Sequence, residues 1–210
     1  MFGESEYPEQ TLSECCTFID YRGKTPEKAS SGIRLITAKN VRMHYLKDEP
    51  AEYVPARNYD AIMTRGIPPL GSILFTTEAP LGNVCRIPNY QEKFCIGQRL
   101  LNIIPRKELN SLYLEYQLGS EAFQNEMRKK SSGSTVTGIR AKELIKLKIP
   151  VPPIELQNEF ARFVEQTDKS KVLMEQARKL VQILIKLILN IGTIEKSIQI
   201  CYNGHRKEGV

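Results

Sequence analysis

The chain of 210 residues is 41% hydrophobic with a net charge of +6, which suits one well-cored domain of about 150 residues plus an appended element and excludes a disordered chain. No apolar run approaches the ~18 residues of a membrane span, since Lys186 interrupts the richest one. Met1-Phe2-Gly3-Glu4 also lacks the basic-then-apolar start of a secretion signal, so a soluble cytoplasmic protein is expected. Five cysteines without Cys-x-x-Cys spacing and two histidines, His44 and His205, support neither a disulfide framework nor a metal site, and no cofactor is expected.

Charge is unevenly distributed. Residues 1–19 carry only acids, Glu4, Glu6, Glu9 and Glu14, whereas residues 20–107 hold fourteen Lys or Arg against eight Asp or Glu. A basic body of this kind points to a polyanionic partner.

Leu12 to Ile19 predicts a short apolar element that leads into Asp20-Tyr21-Arg22-Gly23-Lys24-Thr25-Pro26, a loop rich in turn formers and positive charge. Gly23-Lys24-Thr25 has the ending of a phosphate-binding P-loop, but Phe18 occupies the place of its first glycine and Pro26 opposes the helix that must follow. Nucleotide binding there is rejected. Ile33 and Leu35 predict a strand that runs out into Thr37-Ala38-Lys39-Asn40-Val41-Arg42, a polar, basic turn with side chains suited to base edges or phosphates.

Three strand-like runs follow between Gly and Pro punctuation, at 72–76, 83–87 and 100–104, and their β-branched and aromatic residues fit a short-stranded curved sheet. Thr76 to Gly82 and Cys95 to Arg99 are expected as loops at strand ends. Helices are predicted at 109–118 and 121–130, with Gly119 as the cap between them and Arg128-Lys129-Lys130 closing the second. The polar loop from Ser131 to Arg140 brings hydroxyls and amides suited to phosphate, anchored by Val136 and Ile139. Leu147, Ile149 and Val151 alternate as a last edge strand.

From Pro152-Pro153 the chain runs to Asn190 without Gly or Pro, which predicts a single helix roughly 54 Å long. Alternate steps of three and four from Phe160 land on Phe163, Thr167, Ser170, Met174, Ala177, Val181, Leu184, Ile188 and Ile191, a coiled-coil seam free of charge. Leu180, Ile183, Ile185, Leu187 and Leu189 widen the apolar face beyond what one partner helix covers. The organisation expected is a domain over 1–151, a spacer and dimerisation helix over 152–191, and an irregular tail over 192–210.

Several of these stretches together resemble the specificity subunits of type I restriction-modification systems. They are Gly23-Lys24-Thr25-Pro26, Thr77-Glu78-Ala79-Pro80-Leu81-Gly82, Cys95-Ile96-Gly97-Gln98, Gly133-Ser134-Thr135 with Ile139, and above all Ile149-Pro150-Val151-Pro152-Pro153-Ile154-Glu155-Leu156-Gln157. The resemblance spans about Leu12 to Asn190. It implies an α+β target-recognition domain followed by a long helix, binding double-stranded DNA and directing methyltransferase and restriction subunits to a bipartite site. Members usually carry two such domains and this chain one, so it is expected to be a half subunit, either a natural one that homodimerises through Phe160, Phe163, Met174, Ala177, Val181, Leu184 and Ile188 or a truncated gene product. DNA contact is expected from Arg22, Lys24, Thr25, Lys39, Asn40, Arg42, Arg99, Ser134 and Thr135.

The sequence agrees with a reader rather than an enzyme. It has no Glu-x-Lys or Asp-x-Lys pair for a metal nuclease, and no Gly-x-Gly or Asn-Pro-Pro-Tyr segment for base methylation. Two alternatives stand beside this reading. One is a cysteine-dependent enzyme that uses Cys85 or Cys95 with His44; the other is a coiled-coil adaptor that has lost DNA reading.

Overall fold

The structure is a computed structural model that describes residues 7–21, 26–88, 93–132 and 137–205, with side chains described as far as residue 185. It falls into two compact units, Met1–Ala161 and Arg162–Val210.

In the first unit the elements run as follows: β1 (Glu9–Thr11), α1 (Leu12–Cys15), β2 (Cys16–Asp20), β3 (Ile33–Ile36), β4 (Val41–Arg42), β5 (Tyr45–Leu46), β6 (Glu52–Val54), a 3-10 turn (Ala56–Asn58) and α2 (Tyr59–Ile62). Then come β7 (Ile73–Thr76), β8 (Val84–Arg86), β9 (Phe94–Ile96), β10 (Leu100–Pro105), α3 (Ser111–Gly119), α4 (Glu121–Lys130), α5 (Ala141–Leu144) and β11 (Lys148–Pro150). α6 (Ile154–His205) begins in this unit and continues into the second. The mixed fold of short strands and a long helix matches the expected class. Cys95 and Ile96, expected in a loop, are strand residues because both are buried between layers.

Apolar runs without alternation, such as Ile73-Leu74-Phe75 and Leu100-Leu101, mark strands buried on both faces. The antiparallel sheet β2-β10-β7-β8 bears this out. Its residues Ile73, Phe75, Val84, Leu101 and Ile103 pack on Tyr113, Leu114 and Leu118 of α3 and on Phe123 and Met127 of α4. The intervening residues Leu74, Cys85 and Leu100 pack on Ile36, Phe94 and Ile96 of a second sheet, β6-β3-β9. That sheet turns Leu35, Val54 and Cys95 the other way, onto Tyr59 and Met63 at α2. The layers are therefore helix, sheet, sheet, helix.

β1 pairs antiparallel with β11, Gln10 opposite Ile149, so the segment before the long helix is tied to the start of the described chain. The junction between α3 and α4 is capped by Ser120 rather than Gly119: its hydroxyl accepts from the Phe123 amide at 3.3 Å. Gly119 is required for a different reason, since a Cβ there would lie 2.8 Å from the His44 ring.

The root of α6 is latched by one side chain. Gln157 is fully buried; its Oε1 accepts from the Asn110 amide at 2.8 Å, and its Nε2 donates to the carbonyls of Glu108 at 3.1 Å and Pro152 at 2.8 Å. Phe160 packs edge-on against Tyr113 and Tyr116, at centroid distances of 5.9 and 5.5 Å. The unit boundary therefore falls after Ala161 instead of at Pro152, because the first turns of the helix are packed onto the domain. At the far end the backbone stays helical to His205, where an irregular tail was expected. Gly192 and Gly204 are the helix-weakening residues of that stretch, and each glycine costs only about 1 kcal/mol. Among the described residues, no helix is long and apolar enough to cross a membrane.

Candidate nucleic-acid interface

Parallel pairing of β3 with β9, Ile36 opposite Ile96, sends both strands out at the same edge. The loops that follow, 37–40 and 97–99, start side by side: the Gly97 amide donates to the Ile36 carbonyl at 2.7 Å, and a Cβ on Gly97 would press on Thr37 at 3.4 Å. The Arg99 carbonyl in turn accepts from the Thr77 amide at 3.0 Å and from the Thr77 hydroxyl at 3.2 Å. The Thr77 carbonyl then accepts from the Ile139 amide at 2.9 Å, and Gly138 bridges to both Glu78 and Ser132. Four stretches far apart in sequence, 37–40, 77–82, 97–99 and Ser132 with residues 137–139, are thereby stitched into one loop cluster.

Its supports are buried. Ile139 sits in the main core as an anchor, and Val136 lies outside the described residues. Gly82 adopts φ +88°, and a Cβ there would meet Gln124 Oε1 at 2.5 Å. The Gln124 amide donates to the Gly82 carbonyl at 2.9 Å, fixing the 77–82 loop to α4.

The residues expected to contact DNA divide into three groups. Arg22, Lys24, Thr25, Ser134 and Thr135 lie outside the described residues. Lys39 and Arg99 are exposed on the cluster, each beside a carboxylate: Lys39 Nζ stands 3.5 Å from Glu52 and Arg99 Nε 3.0 Å from Glu78. Glu52 also takes Lys28 at 2.9 Å, and that hydrogen bond holds its carboxyl below the usual carboxylate range. Arg42 is half-buried and donates to the Val41 carbonyl at 3.0 Å.

Asn40 requires a correction. It is fully buried; Oδ1 accepts from the Thr37 amide and hydroxyl, both at 3.0 Å, and Nδ2 donates to the carbonyls of Lys47, Asp48 and Pro50 at 3.1, 3.4 and 3.0 Å. Its amide is saturated by the protein and holds the 37–50 loop in shape. Further cations border the cluster. Arg140 follows Ile139 directly, and Arg128, Lys129 and Lys130 end α4 just before Ser132; all four are exposed.

Sequence reasoning missed Glu115, which is buried in α3 and takes Arg86 Nε at 2.9 Å and His44 Nδ1 at 3.3 Å. No periodicity marks it, because it reads as an ordinary surface acid of a helix. Its partner His44 stacks on Tyr116 at 4.3 Å. Cys85 and Cys95 are fully buried, and burial pushes their thiols up to about 12 and about 11, away from the thiolate a nucleophile needs. Among the described residues, no group of three metal-ligating side chains comes together.

On the second unit Phe163, Met174, Val181 and Leu184 are 67%, 71%, 54% and 56% exposed, and Ala177 is exposed too. These side chains form an apolar stripe along an otherwise charged helix. Phe160 is withdrawn from that stripe by its packing on the domain, and the Ile188 side chain lies outside the described residues.

The sequence model of the type I restriction modification DNA specificity domain matches residues 64–184. The chain is similar to the type I restriction enzyme MjaIX specificity subunit of Methanocaldococcus jannaschii, with 31% identity over 123 residues, 59% of this chain and 27% of that one. It is also similar to the type I restriction enzyme EcoR124I/EcoR124II specificity subunit of Escherichia coli, with 27% identity over 178 residues, 82% of this chain and 43% of that one. It thus spans less than half the length of these relatives. Its fold is shared with the crystal structure of the HsdS subunit from Thermoanaerobacter tengcongensis, at TM-score 0.55 and 21% identity over 81% of this chain and 39% of that one. It is also shared with a chain from a structural study of complex assembly and conformational transition in the type I R-M system, at TM-score 0.60 and 20% identity over 90% of this chain and 46% of that one. With the family match covering more than half of its residues, this chain belongs to the type I restriction modification DNA specificity domain family.

Proposed function

We propose that the first unit reads double-stranded DNA as the target-recognition domain of a type I specificity subunit, and that catalysis is supplied by methyltransferase and restriction subunits. The observation that carries this reading is the convergence of four segments into one loop cluster bordered by Lys39, Arg99, Arg140 and the Arg128–Lys130 run. Loops held on a rigid two-sheet scaffold can follow a duplex, with cations on phosphates fixing register and side chains at base edges supplying sequence. The two relatives above are specificity subunits, which supports the same reading.

In this reading α6 is the spacer. Its exposed stripe from Phe163 to Leu184 pairs antiparallel with the same helix of a second copy, which places two recognition domains on an inverted, bipartite site, and its broader far end faces a methyltransferase subunit.

The test is duplex affinity across a salt series for the native chain and for the combined Lys39→Ala, Arg99→Gln and Arg140→Ala variant. Each phosphate contact removed should weaken binding of all sequences alike and lower the salt slope by about 1. Unchanged affinity and slope would refute the assignment of this face.

A further inference from the structure

The β4–β5 hairpin, residues 41–46, is held more firmly than a surface turn of two-residue strands requires. The Lys47 amide donates to the Asn40 carbonyl at 2.8 Å, and the buried Asn40 amide spans the hairpin's base. Asn83 Nδ2 donates to the Val41 carbonyl at 2.9 Å, and the His44 amide donates to the Val84 carbonyl at 2.8 Å. At the turn His44 takes φ 68°, a conformation a β-substituted residue adopts at a cost, and its ring is fixed between Glu115 and Tyr116. Arg34 donates to the Asp48 carbonyl just beyond, and its guanidinium lies over the Tyr53 ring at 5.8 Å.

The two strands divide their side chains by alternation. Val41 and Leu46, opposite one another, turn inward onto the cluster of Ile36, Leu74 and Cys85. Arg42 and Tyr45, the other opposed pair, share the outer face, where Tyr45 is 58% exposed. An exposed tyrosine and a half-buried arginine, one nitrogen of which donates to the Val41 carbonyl, thus share one face of a ribbon that continues directly from the 37–40 loop and is bonded to the 76–83 loop through Asn83. A two-stranded ribbon has the dimensions of the major groove.

We infer that Arg42 and Tyr45 form a base-reading pair, with the guanidinium taking a guanine edge and the tyrosine ring contacting the adjacent base. This deepens the DNA-reading function proposed above and rests on it. Asn40, Asn83, His44 and Glu115 are then positioning residues, which hold the pair without touching DNA. Arg42 in this role is distinct from the phosphate-binding cations: its planar fork, rather than its charge, carries the discrimination.

The experiment is selection of duplexes from a randomised library by the full chain and by Arg42→Lys and Tyr45→Ala, with affinity for a random duplex measured in parallel. Both substitutions lie on an outward face, and matching thermal melts would verify that the fold is kept. The native chain should enrich a defined motif. Arg42→Lys, which keeps the charge, should lose a guanine preference at one position by roughly 5- to 150-fold. Tyr45→Ala should relax the neighbouring position, with random-duplex affinity and salt slope unchanged for both. An unchanged motif in the variants would overturn the base-reading pair while leaving DNA reading intact. Loss of motif and random-duplex affinity together would make the hairpin a general contact and overturn it equally. Failure of the native chain to enrich any motif would refute the proposed function itself, and the inference with it.

Discussion

Replacing Gln157 by Ala isolates the contribution of one side chain to the seating of the first turns of α6 on the first unit. The substitution leaves three polar groups without partners in a fully buried position: the Asn110 amide and the Glu108 and Pro152 carbonyls, now bonded at 2.8, 3.1 and 2.8 Å. At a net ~1 kcal/mol per hydrogen bond, with a larger penalty for each group left dry, the loss is about 3–4 kcal/mol. For a chain of this size that corresponds to a melting temperature lower by roughly 6–16 °C. Urea unfolding followed through the near-ultraviolet tyrosine signal suits a chain with nine Tyr and no Trp. Gln157→Glu sharpens the test. Its carboxylate still accepts from Asn110 but turns an oxygen toward two carbonyls, so it should be at least as destabilising at neutral pH. It should recover relative to Ala in acid, where the protonated carboxyl donates to one of them. A loss below about 1 kcal/mol for Gln157→Ala would refute the latch.

Asn40→Ala should destabilise the chain by about 2–4 kcal/mol, read by denaturant unfolding, because its amide closes the 37–50 loop from within. The Glu52 carboxyl is depressed chiefly by its hydrogen bond from Lys28, so its contribution is present above the ordinary carboxylate range and lost as pH falls through its lowered folded value. Glu52→Gln should accordingly flatten the acid limb of stability against pH. Cys85 and Cys95, buried with raised thiols, should resist alkylation in the native protein and react on unfolding, as read by mass spectrometry. Leu184→Asp should convert an associated form to monomer in sedimentation while leaving the melting of the first unit unchanged.

Elements whose apolar pattern runs over four or more residues were legible without coordinates: the central strands near 73–76 and 100–105, α3, α4 and the long helix. The two- and three-residue strands β4, β5 and β6 were not, since so short a run shows no period. β1 was hidden for another reason: Glu9-Gln10-Thr11 is polar and becomes a strand only because β11 offers an edge. The motif loops stood out by composition, but their convergence depends on the parallel β3–β9 pairing, which joins segments sixty residues apart. Asn40 shows the limit most clearly. Beside Lys39 and Arg42 it reads as a surface polar residue, and only the backbone carbonyls of a loop eight residues on reveal that it faces inward. Phe160 fits a helical seam by spacing, yet Tyr113 and Tyr116 claim it.

The central claim is that DNA lies on the loop cluster at the Leu100 end of β10. The β1–β11 sheet and the basic residues Arg106 and Lys107 follow the Pro105 end, roughly 20 Å away along the strand. Photo-cross-linking to duplexes containing halogenated uracil, with adducts mapped by mass spectrometry, separates the two ends in a single measurement. Adducts should fall within 37–46, 77–82, 97–99 and 128–140. Adducts concentrated on 8–15 and 106–110, with the loop cluster unmodified, would contradict the account.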